Sequence, residues 1–171
     1  MSDTYEIENN AIEGEDEMGS FNHSLTQSRI DHLLNLDERF AVLTELSLDI
    51  RQHDLSKYKL NVKNELKPDV CAYLNPPVTP EGEDDLLTVS QMPDLAVEIL
   101  SPRQAVSYLV RKIKAYFELG VKSCWLVIPT TQSITVYSHP NQYKTFDAQR
   151  DIEIVDEVMD TRLSIKKVFN W

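Results

Sequence analysis

The spacing of apolar residues divides this chain into helices and strands. Leu25, Ile30, Leu33 and Leu34 follow helical spacing roughly, and Asn22 or Ser24 can cap the helix they predict, which runs to about Asn35. Phe40, Val42, Leu43, Leu46, Leu48 and Ile50 stand among polar neighbours and predict a strand over 40–51. A basic, polar stretch follows from His53 to Lys67. Pro68 then opens a strand of Val70, Cys71, Ala72, Tyr73 and Leu74, because proline does not sit in a paired central position. Pro76, Pro77, Pro80 and Gly82 break residues 75–87 into a loop. Pro93 introduces a second apolar strand over 94–100, which Pro102 ends. A helix follows from about Gln104 to Leu119, with Val106, Leu109, Val110, Ile113, Tyr116 and Phe117 as its apolar stripe and Gly120 at its C-cap. Strands are predicted at 123–128, 132–138 and 142–146, the first two forming a hairpin. Residues 151–155 add a short strand and 162–169 a terminal helical turn.

A strand–helix–strand unit over 94–128, set among hairpin strands, argues for an α/β fold of the mixed α+β kind: a central mixed sheet flanked by helices. With 171 residues there is room for one domain with a real core. It is expected over 21–171, behind an acidic segment at 1–20 that reads as a flexible tail or, at 6–10, as a short edge strand. No apolar run approaches the roughly 20 residues that span a bilayer. The acidic N-terminus lacks the character of a signal peptide, so the expected compartment is the cytoplasm. Cys71 and Cys124 both fall inside predicted strands and read as reduced core thiols. His23, His32, His53 and His139 are scattered, which leaves no zinc spacing.

The formal net charge is −11. Strong global attraction to nucleic acid is therefore not expected, although basic clusters at Lys57–Lys67 and Arg103–Lys122 can contact phosphate. Much of the acidity lies in the first 20 residues, which hold seven acids and no Lys or Arg.

The chemistry is concentrated in two carboxylates. Asp69 leads one apolar strand, and Glu98 sits inside the other among Leu95, Ala96, Val97, Ile99 and Leu100. A carboxylate in such company is costly unless it is paired or binds a metal. Side chains alternate along a strand, so Asp94, Ala96, Glu98 and Leu100 share one face, while Leu95, Val97 and Ile99 form the core side. If the two strands are neighbours, Asp69 and Glu98 can converge on one divalent cation. The competing readings are a strand-start Asp69 bound to backbone amides and a Glu98 paired with a helix lysine. Helix geometry places Lys112 and Lys114 on the two flanks of the apolar stripe, where either one can face the site or solvent. Asp94, on the same face four residues before Glu98, either supports the site or caps the strand. Glu45, on the 40–51 strand, is a third carboxylate or an exposed polar residue. His23, near a helix start, lines the site or the surface. The Glu81–Asp85 run lacks calcium-loop spacing, and Trp125 reads as core.

In order, these blocks resemble the PD-(D/E)XK nuclease superfamily, and more closely the Uma-two-type family of restriction-endonuclease-like proteins. The matching stretches are PDV at 68–70, PDLAVEILSP at 93–102 and KIKAYFELGVKSCWLVIP at 112–129. The resemblance implies a restriction-endonuclease-like core and a Mg²⁺- or Mn²⁺-dependent cut in DNA. It makes Asp69 and Glu98 the metal ligands, and because cutting both strands needs two active sites, a homodimer is expected. The superfamily lysine is replaced by Leu100, and the family supplies one from the following helix, which favours Lys112. The family often has Asp where this chain has Tyr108 and Ile128. These departures, with the acidic charge, keep open a catalytically inactive binding or regulatory module on the same fold. No G-x-S-x-G elbow, P-loop or dinucleotide glycine pattern is present.

Overall fold

Prolines 68 and 93 each deliver the chain into a strand, and those two strands are neighbours. In the computed structural model, which describes residues 19–170, β4 (Val70–Tyr73) runs antiparallel to β5 (Leu95–Ile99). The edge strand considered at 6–10 lies outside the described residues. Helix α2 (Val106–Glu118) crosses over from β5 to β6 (Ser123–Ile128), which pairs parallel to β5. A turn at Pro129–Thr131 then makes the expected hairpin to β7 (Ser133–His139), and β8 (Gln142–Asp147) follows antiparallel. With β1 (Ala41–Thr44) on the other side of β4, the sheet has six strands in the order β1-β4-β5-β6-β7-β8.

Every residue of β4 and β5 is buried, because both faces of this sheet are covered. Val70, Ala72, Leu95, Val97 and Ile99 pack with Ile30 and Leu34 of α1 (Phe21–Asn35). Cys71, Tyr73 and Ala96 face Leu109, Ile113 and Tyr116 of α2. The expectation that only Leu95, Val97 and Ile99 point to core is thus corrected: the Glu98 face is a second apolar layer. Helix α2 closes as the glycine predicts. Gly120 takes φ 101°, and the Gly120 and Val121 amides donate to the carbonyls of Phe117 and Tyr116. The cap of α1 is Ser20, whose side chain accepts from His23 N, rather than Asn22 or Ser24.

The apolar run at 40–51 is not one strand. At Glu45 the backbone turns to φ 53°, and the chain leaves the main sheet. It then forms β2 (Leu48–Asp49), which pairs with β3 (Glu65–Leu66) in a separate two-stranded sheet. The bend is held by the Glu45 amide, which donates to the carbonyls of Pro68 and Asp69. At the C-terminal end, β9 (Glu153–Asp156) pairs with β10 (Thr161–Ser164), and only Ile165–Val168 is helical, as α3. The short β10 was absent from the sequence pattern. Asp156 fixes this hairpin to the main sheet: its buried carboxylate accepts from Ser123 Oγ, Trp125 Nε1 and Met159 N. Among the described residues no helix is long and apolar enough to cross a membrane.

Cys71 and Cys124 are free and buried. Burial pushes the Cys71 thiol up to about 12 and Cys124 well above its usual value, and it raises Tyr73 and Tyr137 as well. Groups that ionise in the unfolded chain before they ionise in the folded one leave the unfolded state with fewer protons, so stability falls as pH rises. The denaturant midpoint is expected to drop as pH is raised from about 9 towards 12. At pH 8 neither thiol is expected to react with a thiol reagent until denaturant is added. Rapid native labelling would contradict this packing.

Candidate active site

The β4–β5 register brings the two carboxylates together. Val70 pairs with Val97 and Cys71 with Ala96, and one further step of the same antiparallel register sets Asp69 opposite Glu98. Cross-strand partners share a face. Both residues line one polar cleft of about 560 Å³.

Each carboxylate is oriented by the fold. Asp69 Oδ2 accepts the Ile99 amide at 2.7 Å, and His23 Nε2 lies 3.2 Å from Oδ1. His23 reaches this point from the first turn of α1, where Ser20 caps the helix. Gln27, one turn further along α1, donates to the Asp69 carbonyl at 2.9 Å. Glu98 Oε1 accepts the Tyr116 hydroxyl at 2.7 Å and stands 2.8 Å from Lys112 Nζ. Lys112 and Tyr116 are four residues apart on α2, so one helix face presents both donors. Lys112 Nζ also donates to the Lys67 carbonyl at 3.1 Å. The Glu98 and Lys112 side chains are each only 3% exposed.

The remaining expected residues fall on either side of this boundary. His23 is buried and lines the cleft beside Asp69, not the surface. Glu45 also lines the cleft, but from the bend after β1 rather than from a strand. Asp94 does not reach it. Its carboxylate accepts the Leu74 amide at 2.8 Å and stands 3.1 Å from Lys122 Nζ at the far end of β5, where it caps the strand. Lys114 points to solvent, two residues and about 200° around α2 from Lys112. Tyr108 is fully buried in the α2-side core, and neither it nor Ile128 lines the cleft. Sequence reasoning treated Tyr116 only as part of the apolar stripe. Its spacing of four from Lys112 is the signal that would have found it. Lys67, Ser101 and Gln104 also line the cleft without having been singled out.

The donor set is one of hard oxygens. Two carboxylates in an open polar cleft suit Mg²⁺ or Mn²⁺, whose remaining positions are filled by water and substrate oxygen. They do not suit a closed structural zinc site: among the described residues no three His, Cys, Asp or Glu side chains gather as a metal-holding group.

Comparison with known proteins agrees with this architecture. One solved structure is described as a "putative nuclease belonging to DUF820 from Anabaena variabilis ATCC 29413". It superposes with a TM-score of 0.71 at 23% identity, covering 91% of this chain and 84% of that one. At that identity the likeness establishes the fold. No curated protein matches. The family comparison is more direct: residues 3–166 match the Uma2 model, described as "Putative restriction endonuclease", and the chain belongs to that family.

Proposed function

We propose that this chain is a divalent-metal-dependent endonuclease that hydrolyses phosphodiester bonds of DNA in the cytoplasm. Asp69 and Glu98 hold Mg²⁺ or Mn²⁺, and Lys112 serves the attacking water or the transition state. The observation that carries the reading is the placing of Asp69 opposite Glu98 in one cleft, with Lys112 bonded to Glu98. Membership of a family described as restriction endonucleases supports the same class of reaction. A bound divalent cation acidifies the water and offsets charge building on the phosphate.

The chain's own residues prepare the site for that chemistry. The Ile99 amide and His23 set the direction of the Asp69 oxygens. Tyr116 and Lys112 fix Glu98 in one rotamer, so little reorganisation is needed when substrate arrives. Lys112 Nζ is held in a poorly hydrated position by Glu98 and the Lys67 carbonyl, where a donor acts more strongly on a developing oxyanion than it does in water. Hydrolysis adds the water oxygen to phosphorus and releases the oxygen of one strand end, which takes up a proton. Cutting both strands of a duplex calls for two such sites, which a homodimer provides.

With Mg²⁺ or Mn²⁺, wild-type protein nicks plasmid DNA, whereas Asp69→Asn and Glu98→Gln lose cleavage together with millimolar metal binding by calorimetry. Equal cleavage by all three proteins would remove the assignment. Metal and DNA binding without cleavage would instead indicate an inactive binding module. Lys112→Met, which strands a buried charge, is expected to cost about 3–5 kcal/mol of stability in denaturant unfolding. Glu98→Gln/Lys112→Met is expected to recover most of that loss while staying inactive, which separates folding from chemistry. Sedimentation is expected to give about twice the 19.7 kDa chain mass.

A further inference from the structure

A second concavity of about 460 Å³ adjoins the cleft, and Lys67 lines both. Its other lining residues include Arg51, Asn61, Lys63, Asn64 and Thr88, with Glu65 as the one carboxylate. Three cations line the trough with one lining acid, and Asp49 behind Arg51 is a second, which leaves a net positive charge of one on a chain whose formal charge is −11.

The trough stands on an ordered support. On β3 the side chains alternate: Leu66 is fully buried, while Glu65 and Lys67 on either side of it line the trough. Leu48 pairs with Leu66, the Asp49 amide donates to the Val89 carbonyl, and the Ile50 amide donates to the Asn64 carbonyl. Leu48, Ile50, Leu66 and Val89 are all buried in the α2-side core. The cations thus flank a small sheet anchored in the core, beside the carbonyl that holds Lys112. Two of them are positioned by acids: Arg51 by a bidentate contact with Asp49, and Lys67 by Glu65 at 3.2 Å. Lys63 has no carboxylate within ion-pair distance among the described residues.

We propose that this trough binds the phosphate backbone of the DNA strand on one side of the scissile bond, with Lys63 as its main electrostatic contact. The proposal rests on the nuclease reading of the cleft and adds to it the direction in which the strand leaves. Two features favour a strand backbone over other ligands. The donors are cationic and amide groups suited to phosphate oxygens, and the trough shares its Lys67 wall with the cleft. Contacts of this kind set register on the substrate and carry no base preference.

The test is fluorescence anisotropy of a labelled DNA oligonucleotide in EDTA, so that nothing is cut, across a series of salt concentrations. Lys63→Ala is expected to lower the slope of log K against log salt by about 0.9 for a duplex and about 0.7 for a single strand. Lys63→Glu is expected to weaken binding roughly tenfold at low salt. Lys144→Glu, on β8 and lining neither concavity, is expected to leave binding unchanged. If both Lys63 variants bind as wild type does and cleave with unchanged KM, the trough assignment is overturned while the nuclease reading stands. If the wild type neither binds nor cuts DNA with Mg²⁺ or Mn²⁺, both are overturned.

Discussion

Glu98 places a charge in a strand whose every residue is buried, with apolar layers on both faces of the sheet. A sheet closes around such a group only if an opposite charge travels in with it, and Lys112 is that charge. The cost of leaving either partner alone ties α2 to β5 at one position. Tyr116 adds a neutral hydrogen bond to the same oxygen, and the Lys67 carbonyl holds the ammonium from the side of the next strand. The cleft is the open rim of this arrangement. Asp69 sits where β4 begins, so its side chain is still partly in contact with solvent, while Glu98 opposite forms the deep wall of the cleft.

What the sequence disclosed followed from short-range rules. Prolines before Asp69 and Asp94 marked two strand entrances, and period-two alternation put both carboxylates on defined faces. The period of α2 narrowed the missing lysine to two candidates, and the structure separates them by burial. What stayed hidden depended on contacts between distant segments. The left-handed turn at Glu45 is held by carbonyls of residues 68 and 69, which no local pattern in 40–51 announces. Ser20 looked like the end of an acidic tail and is a helix cap. Asp94 shares the face of Glu98 in the alternation, but it lies beyond the paired residues, where Lys122 and the Leu74 amide take up its carboxylate. β10 has four residues and pairs only with a strand as short as itself.

The acidic character of the chain and a phosphate-binding role are compatible because charge acts locally in salt water. At physiological ionic strength, fields from exposed groups fade over about 8 Å. The same screening makes a slow, weakly steered encounter the expected kinetic behaviour, with retention governed by contacts made after arrival.

Helix α2 acts as a ruler. Lys112 and Tyr116 meet the same oxygen of Glu98 because one helical turn separates them, and the turn at Gly120 fixes where that ruler ends. Adding or removing a single residue inside α2 ahead of Lys112 would rotate the following face by about 100° and carry both donors off their target. Insertions inside this helical stretch are therefore disfavoured, whereas the loop at 75–87 carries no such helical phase. Divergence among chains built this way should accumulate as length variation on one side of β5 and as substitution alone on the other.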